Sequence, residues 1–222
     1  MLRENDATMF THLESYETQR ARWPSAGRHI LAHFDAESIV VYQAYRASIA
    51  KAAVENQRFE KAGFSMSRMS WIKPNFLWMM FRSEWATKEG QERVLAVRLP
   101  RAAFDEVLAS AVHSSYVPAV YETEAAWKAA VAGSDVRLQW DPDHAPNGAP
   151  QERRAIQLGL RGKTLARYAR TWPIAIEDVT EFVRERHERA QAHHWKALQL
   201  LREDVYPVRD ETVAAKLGTH SL

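Results

Sequence analysis

Cations are the residues of this chain with the clearest capacity for chemistry, and they concentrate in two segments. Residues 58–82 contain five of them against one carboxylate, Glu60. These cations are Arg58, Lys61, Arg68, Lys73 and Arg82, and the aromatic residues between them include Phe64, Trp71, Phe76 and Trp78. Arginine and lysine bind phosphate, while aromatic faces stack on a nucleobase or a nicotinamide ring. The alternative interpretation is that rings at helical spacing are core residues and the cations form the solvated face.

A second cationic segment lies at residues 151–170, where six cations accompany the single carboxylate of Glu152. The six are Arg153, Arg154, Arg161, Lys163, Arg167 and Arg170. An excess of one charge over this length is typical of an anion-binding surface, although a charged helix face is the commoner explanation. If the fold brings both segments together, their cations should meet at one cleft. The four cations expected there are Arg68, Lys73, Arg82 and Arg154.

Several enzyme classes lack their signatures in this sequence. No Gly-x-Ser-x-Gly nucleophile motif is present, and neither glycine pattern that binds phosphate, Gly-x-x-x-x-Gly-Lys or Gly-x-Gly-x-x-Gly, occurs among the eight glycines. The absence of cysteine excludes a disulfide framework, thiolate catalysis and any Cys-ligated metal. His29 and His33 would share a helical face but lack the glutamate of a zinc-protease helix, so we expect no metal site.

The composition is that of an ordinary globular protein. Of the 222 residues, 46% are hydrophobic and 26% are charged, and the formal net charge of +2 is too small to indicate nucleic-acid binding by itself. The N-terminal sequence lacks the apolar core of a signal peptide, and the longest unbroken apolar run extends only from Phe76 to Phe81. We therefore expect a cytoplasmic protein with no membrane partner. The sequence does not indicate an oligomeric state.

Short strands that alternate with helices predict the class α+β. Residue preferences predict strands at 38–45, 94–99, 136–140 and 154–160, and apolar periodicity predicts helices at 46–58, 74–85, 101–112, 122–132 and 162–171. A loop that holds three prolines is predicted at 141–150, and the chain from Asp178 to Tyr206 is predicted to be mostly helical. We predict a single domain over residues 25–207, an N-terminal arm or helix at 1–24 and a C-terminal tail at 208–222.

Five strings of the sequence resemble a microbial family catalogued only as domain of unknown function four-two-nine-one. They are residues 42–45, 68–82, 91–96, 139–142 and 154–160. The longest of them, RMSWIKPNFLWMMFR, is a specific signal, and the resemblance covers about residues 25–207. Ser70 and Phe81 depart from the threonine and tyrosine expected of the family. The family name implies no activity.

The order of the predicted strands is similar, more weakly, to the ADP-ribosyltransferase superfamily, especially its branch that modifies nucleic acids. This resemblance implies a split, mostly antiparallel sheet flanked by helices, with NAD held between its two parts. It places Gln43 on the first strand and Gln157 on a late strand as the catalytic residues. The superfamily carries a glutamate at the late position, whereas a glutamine can hold a ribose hydroxyl but cannot act as a base. Catalysis must then recruit another group or need no base.

Two functions follow from these residues. The first is an ADP-ribosyltransferase-like or NAD-dependent nucleic-acid-processing enzyme, with NAD as its substrate and no metal. The second is a non-catalytic module that binds a nucleotide or a nucleic acid through the same surface. The residues expected to bind the nucleotide are Tyr42, Arg68, Trp71, Lys73, Trp78, Arg82 and Arg154. Release of nicotinamide from NAD distinguishes the two, since salt-dependent binding without turnover favours the module.

Overall fold

The computed structural model describes residues 12–61 and 63–219, and its elements confirm the α+β class. The described strands are β1 (Leu13–Ser15), β2 (Gly27–Arg28), β3 (Leu31–Ala32), β4 (Ser38–Tyr45), β5 (Ser70–Ile72), β6 (Arg93–Pro100), β7 (Ala111–His113), β8 (Val136–His144), β9 (Pro150–Leu160), β10 (Ala175–Asp178), β11 (Gln199–Leu201) and β12 (Asp204–Val205). The described helices are α1 (Tyr16–Arg22), α2 (Ala47–Asn56), α3 (Phe76–Ser83), α4 (Arg101–Ser110), α5 (Glu124–Gly133), α6 (Gly162–Arg170), α7 (Thr180–Gln191) and α8 (Glu211–Leu217).

Strands β10, β6 and β4 form a three-stranded antiparallel sheet in that order. The pairing of β4 with β6 runs from Ser38 opposite Pro100 to Tyr45 opposite Arg93. Both strands are mostly apolar because both faces of this sheet are covered. Val41 lies in one hydrophobic core, whereas the adjacent Tyr42 lies in the other. The sheet therefore separates the two cores of the molecule.

The second sheet has five strands, and the long antiparallel hairpin of β8 and β9 forms its centre. β5 pairs antiparallel with β9, while β2 runs parallel to β9 and β7 runs parallel to β8. Most pairings in the two sheets are thus antiparallel, as predicted. Ile156 and Leu158 of β9 point into the core, so the opposite face of the hairpin is the one that can carry polar side chains.

A single backbone bridge joins the two sheets within the described part of the chain. Tyr42 of β4 donates its N–H to the carbonyl oxygen of Lys73 at 2.7 Å, and the N–H of Lys73 donates to the carbonyl oxygen of Tyr42 at 3.2 Å. Lys73 directly follows β5, so this bridge attaches the second sheet to the first. The strands that contain Tyr42, Val97 and Gln157 therefore form one connected sheet system, and the predicted split sheet is confirmed.

Helix α3 carries the apolar run after this bridge, and it begins two residues later than predicted. Its N-cap is Asn75, whose carboxamide oxygen accepts the N–H of Trp78 at 2.7 Å. Pro74 consequently lies before the cap and is not the first helical residue. The helix ends at Ser83, because Glu84 adopts the left-handed conformation with φ of 51°.

A buried carboxylate closes the same end of α3. The oxygens of Glu203 accept the N–H of Phe76 at 2.7 Å and the Nδ2 of Asn75 at 3.0 Å. The pKa of Glu203 is raised to about 8, chiefly by burial and in part by the charge of Asp143, while both hydrogen bonds and Arg153 act against the shift. The segment after α7 is thereby tied to the start of α3.

The predicted loop at residues 141–150 is only partly correct, because half of it is strand. β8 continues through His144 and β9 begins at Pro150. The prolines tolerate this arrangement, since Pro142 adjoins a register shift and Pro150 is the first residue of its strand. The turn between them closes by a hydrogen bond from the N–H of Ala145 to the carbonyl oxygen of Ala149 at 2.8 Å.

The prediction of helix from Asp178 to Tyr206 is correct only for α7. The chain after it forms β11 and β12, which pair with β1 and β3. Strands of two or three residues are too short to show a period, so only their partners define them. Of the predicted N-terminal arm, residues 1–11 lie outside the described residues and the rest includes β1 and α1. The predicted tail includes α8, whose Leu217 is fully buried in the core.

The described residues contain no helix with both the length and the apolar character needed to cross a membrane. They also contain no group of three or more histidine, aspartate or glutamate side chains placed to hold a metal ion.

Candidate functional site

A cleft of about 620 Å³ opens where the two sheets meet, and we call it the central cleft. Its size falls within the usual range for a small-molecule site. β4, β5, β8 and β9 form its walls, with α3 along one side. The polar and aromatic side chains that line it are Gln43, Tyr45, Ser70, Trp71, Lys73, Trp78, Arg82, Gln91, Gln139, Asp141 and Gln157.

Asp141 is the only carboxylate among the described residues that line the central cleft, and two amides hold it. The Nε2 of Gln139 donates to its Oδ1 at 2.7 Å, and the Nε2 of Gln157 donates to its Oδ2 at 2.7 Å. Gln139 and Gln157 lie directly opposite each other on β8 and β9, with Asp141 two residues further on the same face. The carboxylate therefore has a fixed orientation and retains one free acceptor position on each oxygen.

Lys73 lies in the wall of the cleft with only 6% of its surface exposed. The pKa of Lys73 is lowered to about 8, chiefly by burial and in part by the positive charge of Arg82, while Asp141 acts against the shift. Within the described part of the chain, the Lys73 ammonium forms no hydrogen bond and no ion pair. Its backbone is fixed by the bridge to Tyr42 and by the following Pro74. Lys73 therefore presents an amine to the cleft from a backbone position that is fixed.

Arg82 stands in the last turn of α3, where its charge is favourable beside the carboxyl end of the helix. Its side chain is exposed and lines the same cleft. No carboxylate of the described residues lies at ion-pair distance from its guanidinium. The Arg82 donors are thus available to a ligand.

Gln43 is buried and fully engaged in a chain of hydrogen bonds. Its Oε1 accepts the hydroxyl of Tyr168 at 2.6 Å, and its Nε2 donates to the Oγ of Ser70 at 2.8 Å and to the carbonyl oxygen of Trp71 at 3.2 Å. The hydroxyls of Ser70 and Tyr45 are also 3.0 Å apart. Gln43 therefore positions Ser70 and β5, and little of its hydrogen-bonding capacity remains for a ligand.

Two tryptophans, together with Tyr45, provide the aromatic surface of the cleft. Trp71 lies across from Gly159, where an added Cβ would stand 3.1 Å from its ring and 2.5 Å from the sulfur of Met69. Glycine at this position lets both side chains lie flat on β9. Trp78 packs nearly parallel to His144, with 5.4 Å between ring centroids, and its buried Nε1 has no hydrogen-bond partner.

The structure brings together six of the nine residues that the sequence assigns to the site. They are Gln43, Trp71, Lys73, Trp78, Arg82 and Gln157. Tyr42 faces the opposite side of β4, where its ring packs edge-on against Phe76 in the core. Arg154 lies on the face of β9 opposite Gln157, and Arg68 is exposed in the turn before β5. The four predicted cations therefore do not meet, since only Lys73 and Arg82 line the cleft.

The second cationic segment is occupied by structural ion pairs. Arg153 is buried against Asp143, and three further arginines lie within ion-pair distance of carboxylates. These pairs are Arg161 with Asp135, Arg167 with Glu106, and Arg170 with Glu60. The commoner explanation, a charged helix face, accounts for Arg167 and Arg170 on α6, whereas Arg161 precedes the helix as its N-cap. Sequence reasoning instead missed Gln139 and Asp141 as site residues, because their shared face is visible only once β8 is known to continue past residue 140.

Two sheets joined at one edge, with a polar cleft at the junction, define the α+β architecture of this protein. Residues 29–206 match the family described as Domain of unknown function (DUF4291). Because this match covers most of the chain, the protein belongs to that family. A comparison with curated proteins finds no match. The resemblance to the ADP-ribosyltransferase superfamily stays a prediction.

Proposed function

We propose that the central cleft binds NAD and that the protein transfers ADP-ribose from it, with a nucleic acid as the acceptor. One observation carries the proposal. Lys73 and Arg82, neither of them paired with a carboxylate among the described residues, share one cleft with the oriented carboxylate of Asp141. Unpaired cations beside a fixed acceptor suit a ligand that has phosphates at one end and a reacting sugar at the other.

The solvent exposure of Arg82, Lys73 and Trp71 suggests which part of the ligand each residue binds. In this proposal Arg82, which is exposed at the cleft, contacts the pyrophosphate, and the buried Lys73 adds positive charge. Trp71 offers a partly exposed ring on which nicotinamide or adenine can stack. Each charge-assisted contact to a phosphate contributes about 1.5–3 kcal/mol.

Asp141 supplies the carboxylate that Gln43 and Gln157 cannot provide. In the proposed reaction the bond from the ribose C1 to the nicotinamide nitrogen breaks, and the electron pair leaves with nicotinamide. The acceptor hydroxyl or amine then forms a bond to C1, and Asp141 accepts its proton. The negative charge of Asp141 also stabilises the cationic sugar that forms between these steps.

The experiment is incubation of the purified protein with NAD and candidate DNA and RNA, with released nicotinamide and labelled nucleic acid as readouts. We expect turnover that Asp141→Asn abolishes and that Glu152→Gln, an exposed carboxylate of β9, leaves unchanged. Turnover that survives Asp141→Asn would contradict the assigned role. Nucleotide binding without nicotinamide release would instead identify the non-catalytic module.

A further inference from the structure

The amine of Lys73 combines three features. The amine faces a cleft from a buried position, and it has no hydrogen bond or ion pair among the described residues. The backbone N–H and carbonyl oxygen of Lys73 are both hydrogen-bonded to Tyr42. A lysine used only for packing would extend its ammonium to water. Lysines held in this way, desolvated and next to another cation, are nucleophiles in covalent catalysis.

We propose that Lys73 is a nucleophilic amine that forms an imine with the aldehyde of a phosphorylated compound, such as an open-chain sugar phosphate. Arg82 gives this ligand class its phosphate contact, and its charge also favours the neutral form of the amine. Asp141 lies close enough to act electrostatically on Lys73 and keeps free acceptor positions for proton transfer. This activity requires no NAD and therefore stands apart from the proposed ADP-ribosyl transfer.

The reaction balances without any oxidant or reductant. The Lys73 nitrogen forms a bond to the aldehyde carbon, and the nitrogen gives up two protons in all. The aldehyde oxygen receives both and leaves as water, and a carbon–nitrogen double bond remains. Asp141 relays a proton between the nitrogen and the departing oxygen.

Enough neutral amine is present near physiological pH for this attack. With a pKa of about 8, roughly one quarter of the Lys73 side chains are neutral at about pH 7.5. An ordinary lysine is neutral in roughly one molecule in a thousand at that pH. A less basic amine is also intrinsically less nucleophilic, so we expect a net rate advantage on the order of tenfold over exposed lysines.

Pyridoxal 5′-phosphate is a suitable probe because it carries both an aldehyde and a phosphate. The folded protein is incubated with a limiting amount, the imine is reduced with borohydride, and the modified lysines are identified by mass spectrometry. We expect Lys73 to be labelled about tenfold faster than Lys88, which is partly exposed and pairs with Glu84 outside the cleft. Equal labelling of all lysines, or none at Lys73, would overturn the proposal.

Two further measurements extend the test, and the first of them uses only the unmodified protein, so it does not depend on whether a variant folds. On the unmodified protein, the rate of labelling at Lys73 should rise to half its maximum near pH 8, whereas a midpoint above pH 10 would show an ordinary lysine. Pyridoxal without its phosphate should react about tenfold more slowly, and Arg82→Gln should remove that difference. A phosphate preference that persists in Arg82→Gln would refute the assigned anchor.

Discussion

The side chains of Gln139 and Gln157 each donate to one oxygen of Asp141, so the direction of that carboxylate depends on both. Replacing Gln157 by alanine removes a hydrogen bond to a charged acceptor, an interaction of about 1.5–3 kcal/mol. We expect nicotinamide release to slow by about tenfold through kcat, with little change in thermal stability because the site is partly exposed. Gln151→Ala, at the far end of β9, is the control. An unchanged kcat would show that Asp141 needs no such support.

Glu203 gives the molecule a distinctive dependence on pH. Its folded pKa of about 8 lies above that of an unfolded glutamate, so its contribution to stability is full below about pH 4.5 and is lost as the pH rises through 8. The pKa values of His33, His113 and His144 are lowered, so these residues contribute stability above about pH 6.5 and lose that contribution as the pH falls below it. The pKa of Lys73 is also lowered, so the contribution of Lys73 to stability increases mainly as the pH rises above about 8.

Between pH 7 and 8 the change in stability is dominated by Glu203, and Lys73 opposes it only in part because its own effect is largest above pH 8. We expect the free energy of unfolding in urea to fall across this window, and Glu203→Gln to flatten the slope whatever its absolute stability. Glu152→Gln, at an exposed position, should keep the slope of the unmodified protein. Identical slopes in both variants would assign the effect to other groups.

Several residues of the central cleft could be predicted from the sequence because they lie close together in it. Trp71, Lys73, Trp78 and Arg82 all belong to the segment of residues 68–82. Gln43 was also assigned, yet its partner Tyr168 lies 125 residues away, and no local pattern reveals that its amide is already occupied. Asp141 was missed for a similar reason. Its role depends on the pairing of β8 with β9, and the prolines that follow Asp141 predict a loop there instead of a strand.

At the scale of elements, α3 depends on the caps at its first turn. Asn75→Ala removes both the bond to the N–H of Trp78 and the bond to Glu203, so we expect a loss of about 1–3 kcal/mol in urea unfolding. Thr123→Ala removes the exposed cap of α5, which accepts the N–H of Ala126, and should cost about 0.5–1 kcal/mol. Equal losses would show that Glu203 adds nothing at this helix end.

Elements with many residues and a clear period were predictable from the sequence. The strand predicted at 38–45 is β4 in the structure, and the helix predicted at 162–171, which is strongly amphipathic, is α6. β11 and β12 were not predictable, because each has two or three residues and exists through pairing with β1 or β3. For such elements tertiary partners, and not local preference, decide the conformation.

At the scale of the whole molecule, Arg153 connects the N-terminal segment to the central hairpin. Its guanidinium donates twice to Asp143, at 2.9 and 2.6 Å, donates to the carbonyl oxygen of Pro24 at 2.6 Å and lies over the ring of Trp23. Arg153→Met leaves Asp143 buried without its partner, so we expect a loss of about 3–5 kcal/mol.

The neighbouring arginine provides a matched control for that change. Arg154 is exposed, and Arg154→Met should alter stability by no more than about 0.5 kcal/mol. Chemical unfolding of both variants measures the difference. Similar values for the two would show that the buried ion pair contributes no more than surface charge.

The backbone bridge between Tyr42 and Lys73 makes the attachment of the two sheets measurable by amide hydrogen exchange. Its two N–H groups are protected from deuterated water only while the sheets stay in contact, whereas the N–H groups of β6 belong to a continuous ladder. A molecule bound in the central cleft lies between β4 of the first sheet and β8 and β9 of the second, so it should slow exchange at the bridge more than in β6. Binding of a ligand in the cleft would then be measurable from the exchange times of the amide protons of Tyr42 and Lys73, whatever the ligand is.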